Sequence, residues 1–174
     1  HRIGGLVDDL MDFTRGRLGG GIPLAMVSTA ALGAQLAHAV AELESSHPGR
    51  RIHSQIDLQC ELVCDPRRLT QLLSNLLVNA LIHGDASQAI HVTAHCRDNE
   101  LLIAVANQGQ PIAPATLERL FHPFWRGNQS NPGAAGLGLG LYIASQIARS
   151  HRGELSVSST DAGTVFSFRM ALPA

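Results

Sequence analysis

One run of alternating glycine and leucine in this chain could hold a phosphate group. Gly136, Gly138 and Gly140 alternate with leucines and lead into a helical pattern that begins near Tyr142. Glycines leave the backbone bare, and the first turn of a helix offers unsatisfied N–H groups and the positive end of the helix dipole. The run is not a Walker loop, because no Gly-Lys-Ser/Thr follows it. The polar segment 126–136 that precedes it is also unlike the strand before a dinucleotide fingerprint.

A second candidate is a pair of asparagines in an otherwise apolar segment. Asn75 and Asn79 are four residues apart, so both amides lie on one face of a helix. Asparagine is a poor helix former, and a buried amide needs a hydrogen-bond partner. Either amide could bond neighbouring backbone and have only a structural role. Alternatively, the pair faces a cavity, where an amide oxygen could bind a Mg²⁺ ion that already carries phosphates and water.

Composition restricts the classes of protein to which the chain could belong. Its 174 residues fit one full-sized domain with a short appendage, and its net charge of −1 gives no reason to expect nucleic-acid binding. Polar residues interrupt every apolar run, so we expect no membrane insertion and a cytoplasmic location, with any membrane anchor lying upstream. The three cysteines lack disulfide or zinc spacing and are interpreted as buried thiols in a reducing compartment.

The nine histidines do not predict a metal centre, because their spacing does not suit one. His91 and His95 lie on the outer face of a predicted strand, about 13 Å apart, whereas ligands of one metal must converge far more closely. We interpret both as surface residues.

Hydrophobic spacing predicts the elements that position these residues. Asp65 and Pro66 are typical of a helix cap and a first turn, and the segment 19–23 is typical of a linker. A strand over 52–64 would place Cys60 and Cys64 on its buried face. The helices are predicted over 1–18, 27–45, 66–83, 114–120 and 142–151, and the strands over 52–64, 90–96, 101–106, 154–159 and 164–171. This order predicts an α/β two-layer sandwich.

Five motifs, in order along the chain, resemble those of the catalytic, ATP-binding domain of sensor histidine kinases, in the wider family with gyrase, Hsp90 and MutL ATPases. They are an asparagine box at 65–80, a first glycine box at 107–112, a phenylalanine box at 120–127, a second glycine box at 136–140 and a Gly-Thr element at 163–166. The resemblance implies a Bergerat-type α/β (α+β) two-layer sandwich over residues 22–174. Its mixed, mainly antiparallel sheet would pack on helices, with a mobile ATP lid at 126–136. Residues 1–21 resemble the end of a dimerisation helix with its linker.

The resemblance also implies which residues bind Mg·ATP. Asn79 would bind Mg²⁺, Asn75 and Arg126 would position phosphates, and Asn107 would contact the adenine amino group. Gly109 would let the base approach. The complete implied set is Asn75, Asn79, Asn107, Gly109, Ile112, Arg126, Gly136, Leu137, Gly138, Leu139, Gly140 and Thr164.

Three residues depart from the family pattern. Asn107 replaces the usual aspartate, Pro111 replaces the second glycine of the first glycine box, and Ile82 stands where many relatives have lysine or arginine. Asn107 still offers an oxygen to adenine but loses the charge-assisted part of that hydrogen bond. These departures predict weaker nucleotide binding and leave open a degenerate nucleotide-binding or regulatory module without kinase activity.

The residue at position 75 separates two enzyme classes. ATPase members of the superfamily carry a glutamate four residues before the magnesium-binding asparagine, and this chain has Asn75 there. An amide cannot take a proton from water, which favours a kinase over an ATPase. An anti-sigma-factor-type serine kinase is a further alternative, because the segment 79–84 resembles that family.

The resemblance therefore implies a protein histidine kinase of a two-component signalling system. Its γ-phosphate would pass to a histidine on an adjacent dimerisation domain, because the chain contains no acceptor segment of the His-Glu-Leu/Phe-Arg type. The expected partners are the dimerisation and histidine-phosphotransfer domain of the same protein and the receiver domain of a response regulator. We expect a homodimer for a full-length protein and a monomer for this chain alone.

Overall fold

The computed structural model describes residues 2–17, 21–125 and 137–173. The predictions for residues 126–136, which include Arg126, Gly136 and the ATP lid, lie outside these described residues. The elements are α1 (Arg2–Arg17), β1 (Val27–Thr29), α2 (Leu32–Ser46), β2 (Ile52–Asp57), β3 (Leu62–Cys64), α3 (Pro66–His83), β4 (Ile90–Arg97), β5 (Glu100–Asn107), α4 (Pro114–Leu117), α5 (Gly140–Ser150), β6 (Glu154–Thr160) and β7 (Gly163–Ala171). Among the residues that the structure describes, none of the helices is long and apolar enough to cross a membrane.

The strands form one five-stranded sheet and one small two-stranded sheet. The large sheet has the order β2-β4-β5-β7-β6, and the small sheet pairs β1 with β3. Only β2 and β4 run parallel in the large sheet, whereas its other neighbours are antiparallel. This mixed, mainly antiparallel sheet packed against helices confirms the predicted fold class.

The core lies between the sheet and the helices. Strand positions that alternate inward are fully buried, and the apolar face of α3 is buried against them. Burying a side chain of this kind contributes about 1.5–3 kcal/mol, so this packing fixes α3 over the sheet. The inward residues of the three central strands are Ile90, Val92, Ala94, Leu101, Ile103, Val105, Phe166 and Phe168, and those of α3 are Leu69, Leu72, Leu73, Leu76 and Leu77.

The amino end of α3 is capped as the sequence predicts. A carboxylate oxygen of Asp65 accepts a hydrogen bond from the Arg68 backbone N–H at 3.0 Å, and its other oxygen accepts one from Ala25 N–H at 2.8 Å. Pro66 follows as the first helical residue, where its missing N–H is not needed. The cap thus also holds the segment that leads from α1 into the domain.

Two predicted boundaries are wrong because β1 and β3 form the small two-stranded sheet. The predicted strand 52–64 is two strands, and the predicted helix 27–45 begins only at Leu32. Residues 27–29 form β1, which pairs with β3 in the register Val27 to Cys64. The alternation of apolar residues continues through 58–61, but the chain turns there and leaves the large sheet for the small one. Periodicity alone does not report such a turn.

The expectation of three unpaired cysteines is also wrong. Cys60 forms a disulfide with Cys96, and their Cα atoms are 6.8 Å apart. Cys60 lies in the turn after β2 and Cys96 lies near the end of β4, so two cysteines 36 residues apart become neighbours. Cys64 remains a free thiol that is fully buried, and burial raises its pKa to about 11.

Helix α1 packs on the domain through a buried ion pair and an aromatic cluster. Arg68 Nη1 on α3 donates to Asp12 Oδ2 at 2.6 Å, and Gln71 Nε2 donates to the same oxygen at 3.0 Å. The Phe13 ring meets Tyr142 of α5 edge-on at a centroid distance of 5.7 Å, and Phe124 at 4.7 Å. We call this set of contacts the α1 docking surface.

Candidate functional site

The two asparagines of α3 have different environments. Asn75 is half-buried, and its Nδ2 donates a hydrogen bond to the backbone oxygen of Gly140 at 3.0 Å. Gly140 is the first residue of α5, so this amide joins the middle of α3 to the start of the glycine-led helix. Asn75 therefore bonds a backbone group, as in the alternative of a purely structural role. That backbone group belongs to α5 and not to α3. Within the described part of the chain, the Asn75 oxygen makes no hydrogen bond.

Asn79 lies one helical turn further along the same face. Its side chain is half-exposed, and within the described residues it makes no hydrogen bond. A half-buried amide without an internal partner is suited to an external one. No cluster of three or more acidic, histidine or cysteine side chains that could hold a metal exists among the described residues. An amide oxygen is a possible Mg²⁺ ligand where phosphate and water supply the others.

The carboxyl end of α3 lies against the end of β5. Asp85 N–H donates to the backbone oxygen of Gln108 at 2.7 Å, and a Cβ on Gly84 would lie 3.1 Å from Asn107 Cβ. Asn107 is half-buried, and its Nδ2 donates to the Gln108 oxygen at 3.2 Å. The amide oxygen of Asn107 makes no side-chain hydrogen bond within the described residues.

Gly109 continues this end of the site. Its φ is +157°, and a Cβ there would lie 3.4 Å from the backbone oxygen of His83. Burial lowers the pKa of His83, which therefore favours the neutral imidazole. Hydrogen bonds from the backbone and side chain of Ser87 lower the pKa of the exposed Asp85. A neutral ring and a carboxylate thus lie on either side of Gly84 in the sequence.

Thr164 lies opposite Asn107 in the register of β5 and β7, and it is buried, with 6% of its surface exposed. Its hydroxyl is 2.7 Å from the hydroxyl of Ser159 on β6, and Ser159 Oγ accepts a hydrogen bond from Ile112 N–H at 2.9 Å. Sequence reasoning missed Ser159. The predicted β6–β7 hairpin could have found it, because Ser159 is the register partner of Thr164.

The conformation of the glycine run is set by its contacts with the backbone of Phe124 and Trp125. Gly138 has a φ of +71°, and its oxygen accepts a hydrogen bond from Phe124 N–H at 3.0 Å. A Cβ at this position would lie 3.0 Å from the Trp125 oxygen, so no side chain fits without movement. Leu139 is buried in the core with 1% of its surface exposed, and Leu137 packs against the core. Leu137 and Leu139 therefore anchor the glycine run to the core.

These contacts organise the described candidate residues into two groups joined by α3. The phosphate-side group contains Asn75, Leu137, Gly138, Leu139 and Gly140, and the base-side group contains Asn107, Gly109, Ile112 and Thr164. Asn79 lies on α3 one turn after Asn75 and one turn before His83. The first turn of α5 adds backbone N–H groups beside Asn75. The arrangement can hold a base at one end and a polyphosphate at the other.

Comparisons with known proteins show the family of this chain. Residues 64–174 match the model of the family described as histidine kinase-, DNA gyrase B-, and HSP90-like ATPase. A bacteriophytochrome of Pseudomonas aeruginosa is 34% identical over 99% of this chain and 23% of its own length. The signal transduction histidine-protein kinase AfsQ2 of Streptomyces coelicolor is 31% identical over 98% of this chain and 31% of its own length. The chain thus spans about a quarter to a third of these relatives.

Solved structures show the same fold. The full-length structure of ShkA in complex with AMPPNP aligns with a TM-score of 0.77 and 27% identity, over 98% of this chain and 36% of that chain. The Acinetobacter baumannii histidine kinase AdeS aligns with a TM-score of 0.78 and 19% identity, over 98% of this chain and 79% of that chain. With the family model matching well over half of its residues, this chain belongs to the histidine kinase-, DNA gyrase B-, and HSP90-like ATPases.

Proposed function

We propose that this chain is the ATP-binding catalytic domain of a sensor histidine kinase. In this role it transfers the γ-phosphoryl group of Mg·ATP to a histidine on an adjacent dimerisation domain. The observation that carries the proposal is the asparagine pair of α3. Asn75 is bonded to the first residue of α5 at 3.0 Å, while Asn79 presents an amide without an internal partner among the described residues.

Each group of the site has a role in this proposal. Asn79 holds Mg²⁺, which would neutralise phosphate charge when bound with ATP. Gly138 and Gly140 give the phosphates access to the N–H groups at the start of α5, with Arg126 and Gly136 contributing from outside the described residues. At the other end, the set Asn107, Gly109, Ile112 and Thr164 receives the adenine.

Position 75 supports transfer to a protein acceptor rather than hydrolysis. Hydrolysis needs a group that accepts a proton from the attacking water, and an amide does not. The Asn75 amide nitrogen, moreover, is engaged by Gly140. Phosphoryl transfer depends mainly on positioning and charge neutralisation, which this chain can supply without a base of its own.

We assign residues 22–174 to the ATP-binding domain and residues 1–21 to the end of a dimerisation helix with its linker. The α1 docking surface supports this division, because α1 contacts the domain through side chains rather than through the sheet. The histidine-bearing domain of the same protein is the proposed phosphoryl acceptor, and a response regulator receiver domain is the next acceptor.

The test is a phosphorylation assay with γ-labelled ATP and Mg²⁺. The chain is incubated alone and with a separately produced dimerisation domain taken from the upstream part of the same protein. We expect no label and no appreciable phosphate release from the chain alone. With the second domain present we expect an acid-labile, base-stable label on that domain.

Two outcomes would overturn the proposal. Steady-state ATP hydrolysis by the chain alone would favour an ATPase. Tight Mg·ATP binding without label on the supplied domain would favour the regulatory nucleotide-binding module. Calorimetric titration with a non-hydrolysable ATP analogue provides the binding control for both cases.

A further inference from the structure

We propose that the outer face of the large sheet carries a surface zinc site formed by His53 and His91. His53 lies on β2 and His91 lies on β4, and the two are register partners in this parallel pair. Their ring centroids are 5.4 Å apart. The nucleotide site uses neither histidine, and the proposal is independent of the proposed function.

The spacing of the two rings fits one tetrahedral metal. With Zn–N bonds of about 2 Å and tetrahedral angles, two coordinating imidazoles have centroids about 5 Å apart, whereas neighbouring ligands of a square-planar ion would bring them to about 4.5 Å. The observed 5.4 Å is closer to the tetrahedral value. Neutral imidazole is a preferred ligand of zinc, so both the ligand type and the spacing agree.

The surroundings leave room for the metal and its remaining ligands. Both histidines are exposed, and the register partner of His91 on its other side is the small Ala106 on β5. The described residues contain no third acidic, histidine or cysteine side chain at this point. Two protein ligands therefore leave two positions of a tetrahedral ion for water.

A metal at this point would connect an edge strand to the sheet. β2 is at the edge of the large sheet, and β4 is its strand partner there. The unfolded chain does not hold His53 and His91 together, because they are 38 positions apart in sequence. An ion that binds the folded chain preferentially stabilises it, so zinc should raise the unfolding temperature.

The sequence gives no direct sign of this pair. Along β4, His91 and His95 are too far apart to share an ion, and the strand pairing supplies the missing partner from β2. The pairing also places Asp57 opposite His95. His95 thus provides a matched control, because it is on the same strand and the same face but outside the proposed pair.

The experiment is a calorimetric titration with Zn²⁺ at neutral pH without reductant, so that Cys60 and Cys96 stay paired. The variants are His53→Ala, His91→Ala, the double variant and His95→Ala. We expect one site in the wild type, and a loss of affinity of at least about tenfold in either single variant, because each removes a direct ligand. The double variant should lose little more than either single one, and His95→Ala should bind like the wild type.

Thermal unfolding supplies a second readout. Zn²⁺ should raise the midpoint in the wild type and in His95→Ala but not in His53→Ala or His91→Ala, and a chelator should reverse the rise. Circular dichroism confirms folding, and His53→Gln replaces any alanine variant that fails to fold. Unchanged zinc affinity in both single variants, or no zinc binding by the wild type, would overturn the proposal.

Discussion

The two halves of helix α3 use their polar residues in opposite ways. At the amino end, Arg68 is 6% exposed and Asp65 is 4% exposed, and both bond to groups of this same chain. In the second half, Asn79 is half-exposed and makes no hydrogen bond within the described part of the chain. Both halves share one apolar face in the core. The difference separates polar groups that hold the structure from the polar group that we propose binds a ligand.

Physical cost explains why the difference is informative. A buried charge without a partner is expensive, so the amino end must satisfy its charges within the molecule. Apart from Arg68 Nε, which has no hydrogen-bond partner among the described residues, this end does so. A half-exposed amide can form hydrogen bonds with water when no ligand is bound. Leaving the Asn79 amide without a protein partner therefore costs little free energy of folding.

The largest expected effect is at the amino end, from Asp12→Ala. The substitution leaves Arg68 buried without its carboxylate, and removing one partner of a buried ion pair costs about 3–5 kcal/mol. Helix α1 can avoid that cost by leaving the domain, after which a lone helix of its length is marginal in water. We therefore expect loss of amide hydrogen-exchange protection in residues 7–16. The exposed Asp8→Ala is the control, and protection equal to that of the wild type would contradict the prediction.

The next effect is at the open half, from Asn79→Ala. Removing the only protein oxygen proposed for Mg²⁺ should weaken Mg·ATP binding by about tenfold or more, and it should leave binding without Mg²⁺ nearly unchanged. Calorimetry with and without Mg²⁺ measures both. Ser74→Ala is the control, since Ser74 is on the same helix and lines a groove beside α2. Equal Mg²⁺-dependent affinities in Asn79→Ala and the wild type would exclude the assignment.

The distinction between local patterns and contacts of distant segments explains which features could be predicted from the sequence. The capped start of α3, the asparagine pair and the hairpin β4–β5 follow from local patterns, because cap residues, helical spacing and strand alternation are local. The disulfide between Cys60 and Cys96, the bond from Asn75 to Gly140 and the ion pair of Asp12 with Arg68 join distant segments. No spacing rule reports them, since they depend on which elements become neighbours.

The phenylalanine box shows the same limit. Phe121 and Phe124 both belong to the segment 120–127, yet their rings have different surroundings. Phe121 meets Phe166 edge-on at 6.3 Å, whereas Phe124 is 51% exposed and meets Phe13 of α1. The left-handed φ of +62° at Phe124 and its bond to Gly138 turn this ring outward. The sequence could not predict that backbone conformation.

A smaller effect should come from Asn107→Asp at the base end. In the wild type, the bond from Nδ2 to the Gln108 oxygen favours presenting the amide oxygen, which suits the amino group of adenine. That exposed bond of 3.2 Å is weak, and turning the amide would admit guanine. An aspartate carboxylate can only accept hydrogen bonds, so bound guanine would have a mispaired polar group, which costs about 1–3 kcal/mol. The substitution should therefore raise the ratio of ATP to GTP affinity by about tenfold.

The measurement is a pair of binding constants, for ATP and GTP, in each version of the chain. Gln108→Ala is the control, because it keeps the backbone oxygen that Asn107 bonds and changes only an exposed side chain. If the ratio is the same in the wild type and in Asn107→Asp, then residue 107 does not read the base.

The smallest effect concerns His151, which is 5% exposed and joins α5 to the amino end of α3. Its Nε2 accepts a hydrogen bond from Asp65 N–H at 3.1 Å, and Nδ1–H donates to the Ile147 oxygen at 2.9 Å. Burial lowers the pKa of His151, while the Ile147 carbonyl and Asp65 partly oppose that shift. The folded chain therefore holds the neutral ring, and protonation would remove the acceptor that Asp65 N–H needs.

The direction of the pH dependence follows from this lowered pKa. In the unfolded chain the ring takes a proton as the pH falls through about 6.5, whereas the folded chain resists it, so the free energy of unfolding should be constant above that pH and decrease below it. One such group contributes a slope of at most about 1.4 kcal/mol per pH unit, and His83, whose pKa is also lowered, adds in the same direction.

Urea unfolding at several pH values should show a shallower slope in His151→Gln than in the wild type. The exposed His38→Gln should keep the wild-type slope. An unchanged slope in His151→Gln would mean that the amino end of α3 is held without this ring, and that its polar groups are less dependent on one another than their geometry indicates.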